Sequence, residues 1–233
     1  VSGKLFRRMT EAARPVLELS PTLYCGAARI KPGRNREVVS RSTDLLVESF
    51  PRSGTTYLVA ALGLAAPSLH IASHVHHQAH VQLAVRYGVP PFVLIREPMA
   101  ACTSATIRLR DQVMFRQMLE GWCRFYGALA DLPQVHFVSF ESATRDTSAT
   151  VAKMLEIAEL SDRIVTTIEH EEIVAVVEGF GVRRSKGVRD PMTISVPTPE
   201  RKVRSAEVAE EYRRQGGELL QRAETIYSGV AAI

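Results

Sequence analysis

An apolar, extended-type run, LLVESF, stops at Pro51, and Arg52, Ser53, Gly54, Thr55 and Thr56 lead from it into a stretch of helical character. The expected reading is a strand over 44–50, a short loop, and a helix from about Gly54 to Ala65. In such a loop the amides of Ser53, Gly54, Thr55 and Thr56 can face one concavity. Gly54 permits close backbone approach, and the helix dipole favours an anion there. Thr55 and Thr56 add hydroxyl donors, and Arg52 adds a fixed positive fork. The nucleotide loop of kinase type carries Lys directly after its last glycine. Here Thr55 holds that place, and the only cation precedes the glycine. The loop therefore reads as a phosphate site without the fittings for a nucleoside triphosphate and its magnesium. The plain alternative is a glycine turn capped by Ser and Thr.

The rest of the chain agrees with an α/β architecture. Residues 3–20 have helix-like apolar spacing, and 31–43 read as a polar connector. HIAS (70–73) suits a short strand, and HHQAHVQLAVRYG suits a helix closed by Gly88. PFVLIRE, between prolines, reads as a buried parallel strand. Helices are expected from Pro98, around 112–130, over 147–158 and over 162–178, with a buried strand at 135–140. Residues 179–204 hold Gly, Pro and basic residues without a period and read as a long loop, followed by a terminal helix over 205–227. Strands separated by helical stretches predict a parallel sheet of about four or five strands with helices on both faces, a P-loop-like nucleotide fold. One domain spans 1–233: an N-terminal helix and connector (1–43), a nucleotide-binding core (44–190), and a loop and C-terminal helix (191–233).

A second stretch, IREPMAACTSA, places Arg96 at a strand end, Pro98 at a helix start and Ser104 eight residues after the arginine. A strand-end Arg and a Ser on the next helix can converge on a second phosphate. The alternative is an Arg at a helix start paired with Glu97. Together the two stretches resemble the sulfotransferases that use 3′-phosphoadenosine 5′-phosphosulfate (PAPS). PRSGTTYL is similar to their 5′-phosphosulfate loop, commonly PKSGTTW, and IREPMAACTSA resembles their 3′-phosphate motif. The likeness covers about residues 44–190 and includes FVSFESATRDTSATVAKMLEIAEL, similar to the family's strand, acidic turn and helix.

The resemblance implies transfer of a sulfuryl group from PAPS to a hydroxyl, by in-line displacement, with PAP (the 3′,5′-bisphosphate) as product and no metal. It assigns Arg52, Ser53, Gly54, Thr55 and Thr56 to the 5′ side, Arg96 and Ser104 to the 3′-phosphate, and Tyr57, in place of the family's Trp, to the adenine. Arg52 replaces the common Lys and should act as an electrostatic clamp, since arginine does not readily give up a proton. The family's late motif, RKGxxGDWK, has a partial counterpart in RRSKGVRD, which keeps Lys186 and Gly187 but lacks the Trp. Arg183, Arg184, Lys186 and Arg189 all could reach a phosphate, with a solvated basic loop as the alternative. A proton acceptor is sought among His70, His74, His76, His77 and His80. The family's base follows a short strand, in a segment like KTHLP, which points to His74. His76 is the rival, and His77 and His80 are expected on a helix surface.

Composition narrows the remainder. The 233 residues, 45% hydrophobic and 23% charged, suit one core-bearing domain, and the net charge of +4 suits an anionic ligand. Three cysteines without CxxC spacing argue against a disulfide framework or zinc site and make a reducing, cytoplasmic setting the expectation. No apolar run approaches a membrane span and no signal peptide is visible, although peripheral membrane contact is compatible with the 3–20 helix. No nucleic-acid partner is expected, and oligomeric state stays open. The acceptor could be a small molecule, lipid or glycan bearing a hydroxyl. Two rivals remain: a phosphoryl-transfer kinase of related fold, and a catalytically silent PAP-binding module.

Overall fold

The computed structural model describes residues 20–30, 37–109, 114–184 and 198–230, with side chains of 181–184 excepted. The expected 3–20 helix, and Lys186, Gly187 and Arg189, lie outside these residues. Four strands form one sheet in the order β2-β1-β3-β4: β1 (Leu45–Ser49), β2 (Ile71–Ser73), β3 (Pro91–Ile95) and β4 (His136–Ser139). All three pairings are parallel, with Leu46 beside Pro91, Leu45 beside Ile71 and Phe92 beside His136.

The alternation of a buried strand explains the two layers. Leu46, Val93, Ile95 and Phe137 point into one apolar cluster, whereas Leu45, Val47, Phe92, Leu94 and Val138 point into the other. On the first face lie α1 (Pro21–Arg29), α3 (Gln78–Tyr87), α4 (Pro98–Arg108), α5 (Phe115–Gly127) and α9 (Pro199–Gly229). The second face carries α2 (Thr55–Ala65), α7 (Thr147–Ile157) and α8 (His170–Arg184). A one-turn-plus helix, α6 (Phe140–Arg145), follows β4 directly. Trp122, Tyr126, Phe115 and Leu119, all on α5, are fully buried and anchor the larger cluster.

Several expectations change in detail. Sequence reading missed α1 and α6. Residues 164–169 form neither helix nor strand after a 3₁₀ turn at Ser161–Arg163, so the helix expected over 162–178 begins at His170 and runs on to Arg184. Residues 179–184, expected in the long loop, therefore extend α8. The terminal helix starts at Pro199 rather than 205, because Thr198 caps it through the Arg201 amide and Pro199 fits its first turn. Its weak middle is real: Gly217 takes φ 49° and ψ −137°, a kink. Among the described residues no helix is long and apolar enough to cross a membrane.

The order 2-1-3-4 puts the topological switch between β1 and β3. Ligands of open α/β sheets bind in the crevice beyond the carboxyl ends of such strands. The segments that leave β1, β2 and β3 at that edge are residues 50–54, 74–77 and 96–97.

Candidate functional site

Gly54 caps α2 with φ 99° and ψ 4°, a left-handed conformation costly for any other residue. Space demands glycine as well: a Cβ here would lie 2.9 Å from a Phe140 ring carbon and 3.3 Å from Leu94 Cδ2. Tyr57 and Leu58 return their amides to the Gly54 carbonyl at 3.0 and 3.1 Å. The amides ahead of them belong to the first turn of a helix, where the helix itself supplies no acceptor. Ser49 Oγ and Thr55 Oγ1 meet at 2.5 Å, and Ser49 Oγ donates to the Phe50 carbonyl, so the loop base is tied to the strand end. Beneath it, the buried Tyr126 hydroxyl donates to the Leu94 carbonyl at 2.6 Å and accepts from the Phe50 amide at 3.2 Å. Burial drives its phenol well above the usual range, so it stays a donor.

The two arginines singled out in the sequence converge. Arg52, at φ 70°, donates from Nε to Ser104 Oγ at 3.1 Å. Arg96 Nη1 donates to the Arg52 carbonyl at 3.0 Å, and its guanidinium lies over the Phe140 ring, 4.3 Å from the centroid. Ser104, expected beside Arg96, thus contacts Arg52 instead; the two arginines sit at the sheet edge where α2 and α4 begin, and Ser104 reaches Arg52 from the second turn of α4. Glu97 does not pair with Arg96 by a salt bridge among the described residues. It caps α4, accepting the Met99 and Ala100 amides at 2.9 and 2.6 Å.

Other arginines crowd Arg52. Burial first, then the charges of Arg201, Arg108 and Arg96, push the Arg52 guanidinium down to about 9. Burial also lowers Arg96, against the pull of Glu141 and Glu97. Arg201, near the start of α9, is buried. It was not singled out in the sequence because 179–204 read as loop; a Pro-Glu helix start after Thr198 was the available signal. Arg184 closes α8, with its side chain outside the described residues.

Tyr57 carries its hydroxyl away from the loop, to Thr147 Oγ1 and His170 Nδ1, each at 2.9 Å. Its ring is only partly buried.

The histidines divide sharply. His74 Nε2 lies 3.2 Å from Thr56 Oγ1, on the first turn of α2, and its Nδ1 lies 2.6 Å from Ser73 Oγ. His76 donates from Nδ1 to the Ser49 carbonyl at 2.9 Å, and its ring meets that of His74 edge-on at 5.8 Å. Both stand beside the loop. His77 and His80 are not surface residues. His77 caps α3 through the Ala79 amide and stacks on Tyr24 at 3.8 Å. His80 is fully buried against Glu48, which is itself fully buried in β1. A charge inside a strand buried on both faces must have a partner. That rule, applied to the lone acid in LLVESF, was the signal for this pair.

A cleft of about 510 Å³ lies elsewhere, at the α9 kink, lined by Arg116, Gly216, Gly217, Glu218, Leu219 and Arg222. It shares no residue with the arginine cluster.

No protein-family model matches the chain, and no curated protein sequence does. Among solved structures it is similar to mouse sulfotransferase SULT7A1 complexed with PAP. The identity is 13%, the TM-score 0.43, and the alignment covers 84% of this chain and 92% of that one. At that distance the reading of the site rests on this chain's own residues.

Proposed function

We propose that the chain is a PAPS-dependent sulfotransferase acting on a hydroxyl. The observation that carries this reading is the meeting of Arg52, Arg96 and Ser104 at the N-terminus of α2. Two half-buried guanidiniums and a helix N-terminus form a cradle suited to a donor with phosphate at both its 3′ and 5′ ends. The loop lacks the lysine after Gly54 that a kinase loop uses, which favours sulfuryl over phosphoryl transfer. The 5′ phosphosulfate would be held by Arg52, Thr55, Thr56 and the loop amides of Ser53 and Gly54, and the 3′-phosphate by Arg96 and Ser104. A residue of the Arg184, Lys186, Gly187 stretch would close over the latter, and Tyr57 would border the adenine.

PAPS supplies an activated sulfuryl group: the acceptor oxygen bonds to sulfur, the bridging S–O bond breaks, and PAP leaves with that electron pair. Arg52 stabilises the charge that grows on the bridging oxygen. His74 takes the acceptor proton at Nε2. In the tautomer that donates Nδ1–H to Ser73, this nitrogen is the bare one and faces the first turn of α2. An acceptor hydroxyl would replace Thr56 there. His76 is the second candidate, because its Nδ1–H is fixed on a carbonyl and its Nε2 can accept.

The test is transfer of label from ³⁵S-PAPS across a panel of phenols, alkyl alcohols and glycans, without magnesium. Transfer to any of them is expected; PAP binding without transfer to any would mark a silent binding module. His74→Ala should cut turnover roughly 10²–10⁴-fold at unchanged PAP affinity. If His76→Ala does so instead, the proton acceptor is His76.

A further inference from the structure

Glu48 is the most deeply buried acid among the described residues whose contacts reach the site, and sulfuryl transfer as described makes no use of it. One oxygen accepts the Val75 amide at 2.7 Å and His80 Nδ1 at 2.7 Å. The His76 amide bridges both oxygens at 3.2 and 3.1 Å, and the Ser49 amide lies 3.2 Å from the second. His80 Nε2 accepts the Val39 amide at 2.8 Å. Since a nitrogen that accepts carries no proton, His80 is the neutral tautomer protonated at Nδ1, donating to the carboxylate. One buried carboxylate thus ties together the strand before the cradle, the segment entering it at Val39, and the turn between β2 and α3.

That turn is under backbone strain. His74 and His76 both take left-handed conformations, φ 65° and 56°, which neither glycine nor asparagine relieves here. The amides of Val75 and His76, which Glu48 holds, lie between and at these two residues. The imidazoles have side-chain partners of their own in Ser73, Thr56 and the Ser49 carbonyl, but the backbone amides of the turn are held by the carboxylate, and without that acceptor the turn would relax and both rings would shift at the rim of the loop.

We infer that Glu48, locked by His80, is a positioning residue: it fixes the strained 74–76 turn and so aims the imidazoles of His74 and His76 at the acceptor side of the cradle. Its contacts are with the turn, with His80 and with the Ser49 amide, and not with the arginine cluster. It should therefore govern turnover and leave donor binding alone. This inference rests on the sulfotransferase reading.

The experiment uses the full chain with ¹³C,¹⁵N-labelled histidine. In the parent, long-range ¹H–¹⁵N spectra at pH 7.5 should show His80 protonated at Nδ1 and bare at Nε2. Glu48→Gln places an amide NH₂ against N–H donors. It should move the Cε1–Hε1 resonances of His74 and His76, lower kcat by roughly 10²-fold, and change PAP affinity and the KM for PAPS less than about twofold. Glu48→Asp, which keeps the charge, should recover part of kcat. If E48Q does not fold, His80→Gln carries the same expectations. The inference is overturned if His80 is protonated at Nε2 in the parent, if the resonances of His74 and His76 stay in place in the variants, or if PAP affinity falls in step with kcat. A parent that does not bind PAP ends the functional reading instead. Normal PAP binding with unmoved histidine resonances ends only this one.

Discussion

Gly54 shows how a single residue sets what the loop can do. Both its φ of 99° and the 2.9 Å approach of Phe140 forbid a side chain. Gly54→Ala combines a left-handed penalty with a ring that must shift, and should cost about 1–3 kcal/mol of stability, measured by urea unfolding. It should also weaken PAP binding, because Phe140 carries the Arg96 guanidinium. An alanine variant as stable as the parent would show that the loop has another accessible path. At this scale much of the site was legible. The Arg52, Gly54 and Arg96 positions follow from residue type and spacing along a strand–loop–helix. The burial of His80 and the role of Glu48 were not, because one acid and one histidine 32 residues apart look like solvated residues until the helix is laid on the strand.

Elements bring these residues to one edge. β1 read correctly as a strand and β3 as a buried one, because apolar residues fill both faces of PFVLI, and the carboxyl ends of β1 and β3 define the crevice. Short pieces were less legible. The six residues of α6 carry too little period to separate from a strand end, and α8 starts late because 164–169 take no regular structure after the 3₁₀ turn. The element that braces the loop is α5, through Tyr126, whose hydroxyl bonds to the backbone of both β3 and residue 50. Tyr126→Phe leaves the Leu94 carbonyl and Phe50 amide without that partner in a dry environment. Its expected cost is about 1–3 kcal/mol in chemical denaturation, with weaker PAP binding because the loop loses its brace. Unchanged stability would mean that water or a neighbour replaces the hydroxyl.

Across the whole molecule, buried charge couples folding to pH. Burial would raise the Glu48 carboxyl, but the hydrogen bond from His80 leads the groups that hold it down, to about 2, against 4.5 for the free side chain. A depressed folded-state value means the unfolded chain takes up the proton first on acidification. The stabilisation is therefore complete above about pH 5 and drains away as pH falls toward 2. The stability difference between the parent and E48Q should shrink between pH 6 and pH 3. A difference that stays constant would place the carboxyl in an ordinary environment.

The positive cluster at the sheet edge bears on the central claim, that this edge takes a nucleotide phosphorylated at both ends. The most direct measurement is calorimetric titration with PAP in EDTA, beside adenosine 5′-phosphate, which lacks the 3′-phosphate. PAP should bind without magnesium and more tightly than the monophosphate, and Arg96→Ala should remove about 2–4 kcal/mol of the PAP affinity while leaving the monophosphate nearly unaffected. Equal affinity for the two nucleotides in the parent, or an Arg96→Ala variant that binds PAP as the parent does, would contradict the account.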